Sequence, residues 1–337
     1  MGIKAMCQAA IFSVDDSQYY YSRLTGKQKK IYKTLLLGIK AFTKKIKMPI
    51  TPINEVSLIF DYILLDNPLI FYVSAFSQSN DVYKEKSVIT FDYKYNRQAV
   101  RQMHETISSY LQKFDAVKEK SDIDKELYVH DLCLNNFQYD YAFDDYSYSV
   151  LGPVINKTAV CEGIANFVKL ALDYLGVKCL IVHGKADDPA DDFANRDHAW
   201  NIVEINGRTY HLDITFNMTL TEKVIRYDYF NLSDTDIKKE HTIISEAPAC
   251  ITSGKDYYTT NSFSARNSAE LERYIINNLK QGKKNIIIKL ALANYSEKIV
   301  DKITEITQKQ CGNIVKRSGT FDIRCNPGQM VFEINFK

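Results

Sequence analysis

The sequence predicts an α+β fold: a helix packed on an antiparallel sheet, with a mixed helical and stranded segment at each end. Three patterns carry that expectation. From Cys161, apolar residues recur at helical spacing through Ile164, Phe167, Val168, Ala171, Leu172 and Leu175, and Gly176 then stops the run. The run from His198 and the run Arg208 to Asp213 flank Asn206-Gly207, a strong signal for a two-residue hairpin turn. Beyond residue 250, strands and helices alternate in a βαβαββ-like order.

Residues 1–118 form the first expected region, α+β in character. Residues 28–47 place Ile31, Leu35, Leu36, Ile39, Phe42 and Ile46 on one helical face, ringed by lysines 29, 30, 33, 40, 44, 45 and 47. Such a helix either packs its apolar face inward or meets an anionic membrane surface or acidic partner; core packing is the favoured reading. A second helix follows Asn54 and ends near Asp66-Asn67-Pro68, and runs at 69–76 and 88–95 form a hairpin. A longer helix covers 97–118.

Residues 119–250 are the expected catalytic core. A helix over 123–137 carries Leu127, His130, Leu134 and Phe137 near one face, with His130 as a packing or capping residue. The aromatic and acidic stretch 139–148 either lines a substrate cleft or forms a plain surface loop. A strand at 179–184 leads into the acidic loop 187–192, which is read as a solvated loop rimming the site. Four carboxylates there invite calcium, but the loop lacks the alternating ligands and glycine of an EF-hand.

Residues 251–337 are the expected small α/β accessory domain. Asn267, with Glu270 three residues on, caps a helix bearing Leu271, Tyr274, Ile275 and Leu279. A strand at 285–292, a helix from Ser296 and strands near 312–317, 320–325 and 329–336 complete it.

The chemistry sits in the middle region. A thiol is a poor nucleophile until it ionises, an imidazole can take its proton, and a carboxylate can hold that imidazole in the useful tautomer. Cys161 stands at the start of its helix, where unpaired N–H groups and the dipole favour a thiolate. Gly163, in the first turn, leaves the backbone open to close approach. With Asn206-Gly207 as the turn, Ile205 faces Arg208 and pairing partners sum to 413. Asp213 then pairs near Trp200 and lies diagonal to His198 on the same face, within reach of a carboxylate–imidazole bond. Trp200 shares that face, as a cover for the pair, a core anchor, or both. His211 is the competing histidine, with no orienting acid evident around it, and Tyr210 stands beside it as an outer candidate.

Three segments, Ala-Val-Cys161-Glu-Gly-Ile-Ala, His198-Ala-Trp-Asn-Ile-Val and Tyr210-His-Leu-Asp213-Ile-Thr-Phe, resemble the transglutaminase-like superfamily of the bacterial type. That family's core is a papain-like cysteine fold. The resemblance covers about residues 120–235 and implies Cys161 as nucleophile, His198 as base and Asp213 as orienting acid. Asn201 enters only through the family motif. The implied reaction is acyl transfer or hydrolysis on peptide or glutamine amides through a thioester. Two departures stand out. Ile164 replaces an aromatic residue common in relatives, and no tryptophan precedes the cysteine, because Trp200 is the only one. In the large calcium-dependent transglutaminases an upstream tryptophan helps to stabilise the oxyanion, so peptidase-like hydrolysis is favoured here. Transglutaminase cross-linking of glutamine to amines and a catalytically silent binding scaffold are the alternatives.

Composition bounds the rest. A 45% hydrophobic and 25% charged chain of 337 residues is that of an ordinary globular protein, and a net charge of +2 argues against a dedicated nucleic-acid binder. The expected partner is a protein or peptide substrate; oligomeric state is open. Seven cysteines at irregular spacing do not form a disulfide framework or a zinc ribbon. No cofactor and no metal are expected, zinc being the competing use of Cys, His and Asp. Reduced thiols fit a cytoplasmic setting, with an exported protein lacking its leader as the alternative. No run of about eighteen apolar residues is present, so no membrane span is expected.

Overall fold

Thr25 accepts a hydrogen bond from the Gln28 backbone while the Gln28 side chain accepts one from the Thr25 backbone, a capping box that opens a long helix. In a computed structural model, which describes residues 18–187, 196–291, 295–314 and 320–337, this helix is α2 (Gly26–Lys40), preceded by α1 (Tyr19–Arg23). It is shorter than the 28–47 that periodicity predicts. Phe42 takes a left-handed φ of 53° and stacks on Tyr72 and Tyr93. The chain then turns into β1 (Lys45–Pro49), so Ile46 is buried from a strand. Ile31, Leu35, Leu36 and Ile39 are all in the core, as the packing reading expects.

Helix α3 (Ile53–Asp66) packs on a sheet of order β1-β3-β2, with β2 (Val73–Asp81) and β3 (Lys86–Tyr93). The predicted first strand began at 69, but Leu69, Ile70 and Tyr72 are buried in the approach to β2. Helix α4 (Arg97–Leu111) gives way to a 3-10 turn, Gln112–Val117, where one helix to 118 was expected. Ser121 caps α5 (Asp122–Asn136), whose buried face is Glu126, Val129, His130 and Cys133; Leu127 and Leu134 are only half-buried. His130 is a packing residue, bonded through Nδ1 to Asp131.

Strand β4 (Gln138–Tyr139) runs parallel to β5 (Thr158–Ala159), which leads directly into α6 (Cys161–Tyr174). The apolar face of α6 is buried as its periodicity requires, and Gly176 ends it at φ 77°.

The chain divides into two compact units, one up to residue 181 and one from residue 182. The boundary falls inside β6 (Cys179–Ala186). The second unit contains β7 (Arg196–Ile205), β8 (Arg208–Leu212), α7 (Ile214–Leu220), β9 (Phe230–Leu232), α8 (Asp234–Ile237) and β10 (His241–Ile243). The sheet order is β10-β6-β7-β8-β9. Asn206 and Gly207 both have positive φ, 52° and 72°, the geometry of a primed hairpin turn. Ile205 pairs with Arg208 and Asn201 with Leu212, the register read from the sequence.

Beyond α9 (Tyr257–Thr260), the order β11 (Ser264–Ala265), α10 (Ser268–Lys280), β12 (Asn285–Leu290), α11 (Glu297–Ile314), β13 (Phe321–Asn326) and β14 (Val331–Phe336) runs βαβαββ, with β11 a strand that the sequence reading does not place. The strand expected near 312–317 is a correction: its first residues end α11, while 315–319 lie outside the described residues. Arg226 bonds both Asp228 and Glu333, so this sheet and the segment before β9 share a buried ion-pair network.

Candidate active site

Cys161 is the first residue of α6, and no side chain caps that end, because the N-cap residue is Val160. Its thiol is half-buried. The first turn is fixed from behind. A Cβ on Gly163 would collide with the carbonyl oxygen of Ser147 and come within 3.1 Å of the Ala159 Cβ. The close approach that Gly163 permits is therefore made by the protein's own loop. That loop is held by Asp140, whose carboxylate accepts from the Ala142 and Asp144 backbones and from the Ser147 hydroxyl. Ser147 in turn accepts from the Val160 backbone. Tyr141, Phe143 and Tyr148 of the 139–148 stretch are exposed.

In the second unit the hairpin delivers its pair. His198 Nε2 lies 2.7 Å from Asp213 Oδ2, with the carboxylate fully buried. Asp213 follows the last residue of β8 and caps α7, its Oδ1 accepting from the Phe216 backbone at 3.0 Å. Burial alone would raise the Asp213 pKa. The His198 imidazole, its hydrogen bond and that of His241 overcome this and hold the carboxyl well below its usual range.

Trp200 is buried, and its ring lies 5.9 Å from that of His198 at 17°. Gly184 makes room for it: a Cβ there would lie 2.7 Å from the indole. The indole N–H donates to His211 Nδ1 at 3.0 Å. An indole N–H can only donate, so His211 is neutral with its proton on Nε2. Nε2 lies 2.9 Å from Asp234 Oδ1, which corrects the expectation that His211 has no acid of its own. Burial holds His211 below the usual imidazole range. Tyr210 is buried opposite Val203.

Sequence reasoning missed two residues. His241, on β10, lies 2.9 Å from the same Asp213 oxygen. No spacing rule connects it to β8, because β10 reaches the sheet through β6. Asp234 was legible in part, since Ser233 with Asp236 forms a capping pattern. An open cavity of about 480 Å³ borders Asp234, Lys238, His241 and the 245–249 segment.

Two groups among the described residues have metal-ligand chemistry: His198, Asp213 and His241, and His211, Asp234 and Cys250. The second is badly disposed for a cation. His211 would have to lose its Nε2 proton while Trp200 blocks Nδ1, and burial pushes the Cys250 thiol up to about 12. Of the acidic loop, residues 188–192 lie outside the described residues.

The structure thus gathers His198, Asp213, Trp200 and His211 in the second unit, while Cys161 and Gly163 head a helix of the first. The transglutaminase-like superfamily matches residues 110–214, which take in the first two motifs and the third as far as Ile214. That segment is therefore similar to the superfamily's core. Among solved structures it is similar to a TGase, at 16% identity and a TM-score of 0.31, covering 53% of this chain and 53% of that one. It is also similar to a candidate cysteine protease from Cytophaga hutchinsonii, at 14% identity and a TM-score of 0.25, covering 42% of this chain and 61% of that one. The chain therefore aligns with only half to three-fifths of either structure. No curated protein matches. Among the described residues, no helix is long and apolar enough to cross a membrane.

Proposed function

We propose that this protein hydrolyses peptide or glutamine amides through a thioester on Cys161, with His198 as base and Asp213 as its orienting acid. The observation that carries this reading is the buried 2.7 Å bond between His198 Nε2 and Asp213 Oδ2. In this reading Nδ1 is the atom that takes the thiol proton. Sulfur attacks the amide carbonyl, and the oxyanion is met by the Cys161 backbone N–H at the helix start. His198 then returns the proton to the nitrogen as the C–N bond breaks, and the amine leaves. Water, deprotonated by His198, attacks the thioester, releasing the acid and restoring the thiol.

Transamidation by an amine would need the same first half. Hydrolysis is favoured by Trp200, the only tryptophan, whose N–H is committed to His211 and not available to an oxyanion. The test is alkylation by iodoacetamide across pH, with peptide mapping to separate Cys161 from the other thiols. Cys161 should react at or below neutral pH, and His198→Ala should suppress that reaction. Equal labelling of wild type and variant would instead support a silent scaffold. A panel of peptides and labelled amines, with mass spectrometry of any thioester, separates hydrolysis from transamidation.

A further inference from the structure

We infer that His241 is a positioning residue for this reaction: its Nε2–H clamps the Asp213 carboxylate in the orientation that holds His198. The inference rests on the reading of Cys161, His198 and Asp213 just given.

Two imidazoles meet one carboxylate oxygen. Asp213 Oδ2 has His198 Nε2 at 2.7 Å and His241 Nε2 at 2.9 Å, while Oδ1 accepts from the Phe216 backbone at 3.0 Å. The other nitrogen of His241, Nδ1, is buried and has no hydrogen-bond partner among the described residues. A buried N–H left without an acceptor costs about 1–3 kcal/mol, so the proton belongs on Nε2, where Asp213 receives it. That tautomer also argues against a metal between the two imidazoles. Histidine ligands almost always donate their second N–H to an acceptor, and among the described residues this one faces none.

The ring has nowhere to swing. It is walled by Phe216 at 4.6 Å, Trp200 at 5.1 Å, His198 at 5.5 Å and Tyr229 at 5.9 Å between ring centres. The titratable groups around it are His198 from β7, Asp213 and His211 from β8 and its end, and Tyr229 ahead of β9. Removing the clamp leaves Oδ2 with one donor, and the carboxylate is then free to tilt away from the geometry His198 needs.

The test compares alkylation rates of Cys161 against pH in wild type, His241→Phe, His241→Gln and His198→Ala. His241→Phe should slow labelling at neutral pH about tenfold, the worth of one hydrogen bond to a charged group, and displace the pH profile. His241→Gln, whose amide N–H reaches the same oxygen, should recover most of the rate. A folded His241→Phe with the wild-type rate and profile overturns the inference, and so does a Gln variant that rescues nothing. Should His241→Phe not fold, imidazole nitrogen NMR of the wild type decides: a proton on His241 Nε2 supports the clamp, and one on Nδ1 overturns it. If His198→Ala labels like wild type, the catalytic reading itself fails and takes this inference with it; if only His241→Phe is silent, His241 alone is wrong.

Discussion

Each unit of this protein buries a carboxylate that accepts three or more hydrogen bonds, and the two are tuned in opposite directions. Asp66, at the end of α3, accepts from the Tyr20 and Tyr21 backbones and the Tyr32 hydroxyl. Burial dominates there, and with only partial relief from Lys169 and these donors the carboxyl is pushed up to about 6. Asp213 is also buried, but two of its donors are imidazoles, and its carboxyl is held well below the ordinary range. At Asp66 the hydrogen-bond donors are neutral and Lys169 acts through its charge alone, whereas at Asp213 two imidazoles bond the carboxylate directly. The first arrangement ties helices together, and the second can do acid–base work.

The largest expected effect separates the two by activity. Asp213→Asn keeps the shape but turns a carboxylate into an amide that no longer favours a charged His198, and alkylation of Cys161 should slow by about 10³–10⁴-fold. Asp66→Asn should leave that rate near wild type. A large loss in Asp66→Asn would erase the distinction.

Stability against pH sharpens it. The folded pKa of Asp66 lies above the unfolded ~3.9, so the native state binds more protons between those values and its stability falls as pH rises through the window. In urea titrations, wild type should gain on Asp66→Asn by roughly 3 kcal/mol as pH drops from 7 towards 4, buried-group magnitudes being of that order. Asp213 has the reverse sign. Its contribution is present above the unfolded ~3.9 and is lost as pH falls towards its depressed folded value, so wild type should lose ground to Asp213→Asn only in acid. Parallel curves for both variants would remove the contrast.

Smaller effects probe the scaffolding. Gly163→Ala drives a methyl into the Ser147 carbonyl and should cost about 1–3 kcal/mol by denaturant midpoint, with slower Cys161 labelling as the loop shifts. Trp200→Phe removes the donor to His211 Nδ1 and should cost about 1 kcal/mol beyond its packing loss, with His211 then free to change tautomer by NMR.

Much of this site was legible before any coordinates. The hairpin turn sets the register, so Asp213 could be placed across from Trp200 and beside His198 by counting. The start of α6 at Cys161 follows from apolar spacing and Gly176. What escaped is what periodicity does not encode. His241 meets Asp213 through a strand that pairs with β6, a contact of 28 residues' separation carried by topology alone. Helix α2 ends early because Phe42 finds a left-handed turn and two aromatic partners elsewhere in the chain, which no local pattern announces. The sequence marks Gly163 as a place of close approach, but not that the Ser147 carbonyl is what approaches it.

The two-residue turn at Asn206 and Gly207 works as a length gauge for the bond between His198 and Asp213. Strand side chains alternate between faces, so slipping this pairing by one residue would carry Asp213 to the opposite side of the sheet from His198 while leaving both strands intact. Divergence can lengthen many surface loops at little cost, but at this bend a change that slips the register disconnects the imidazole from its carboxylate.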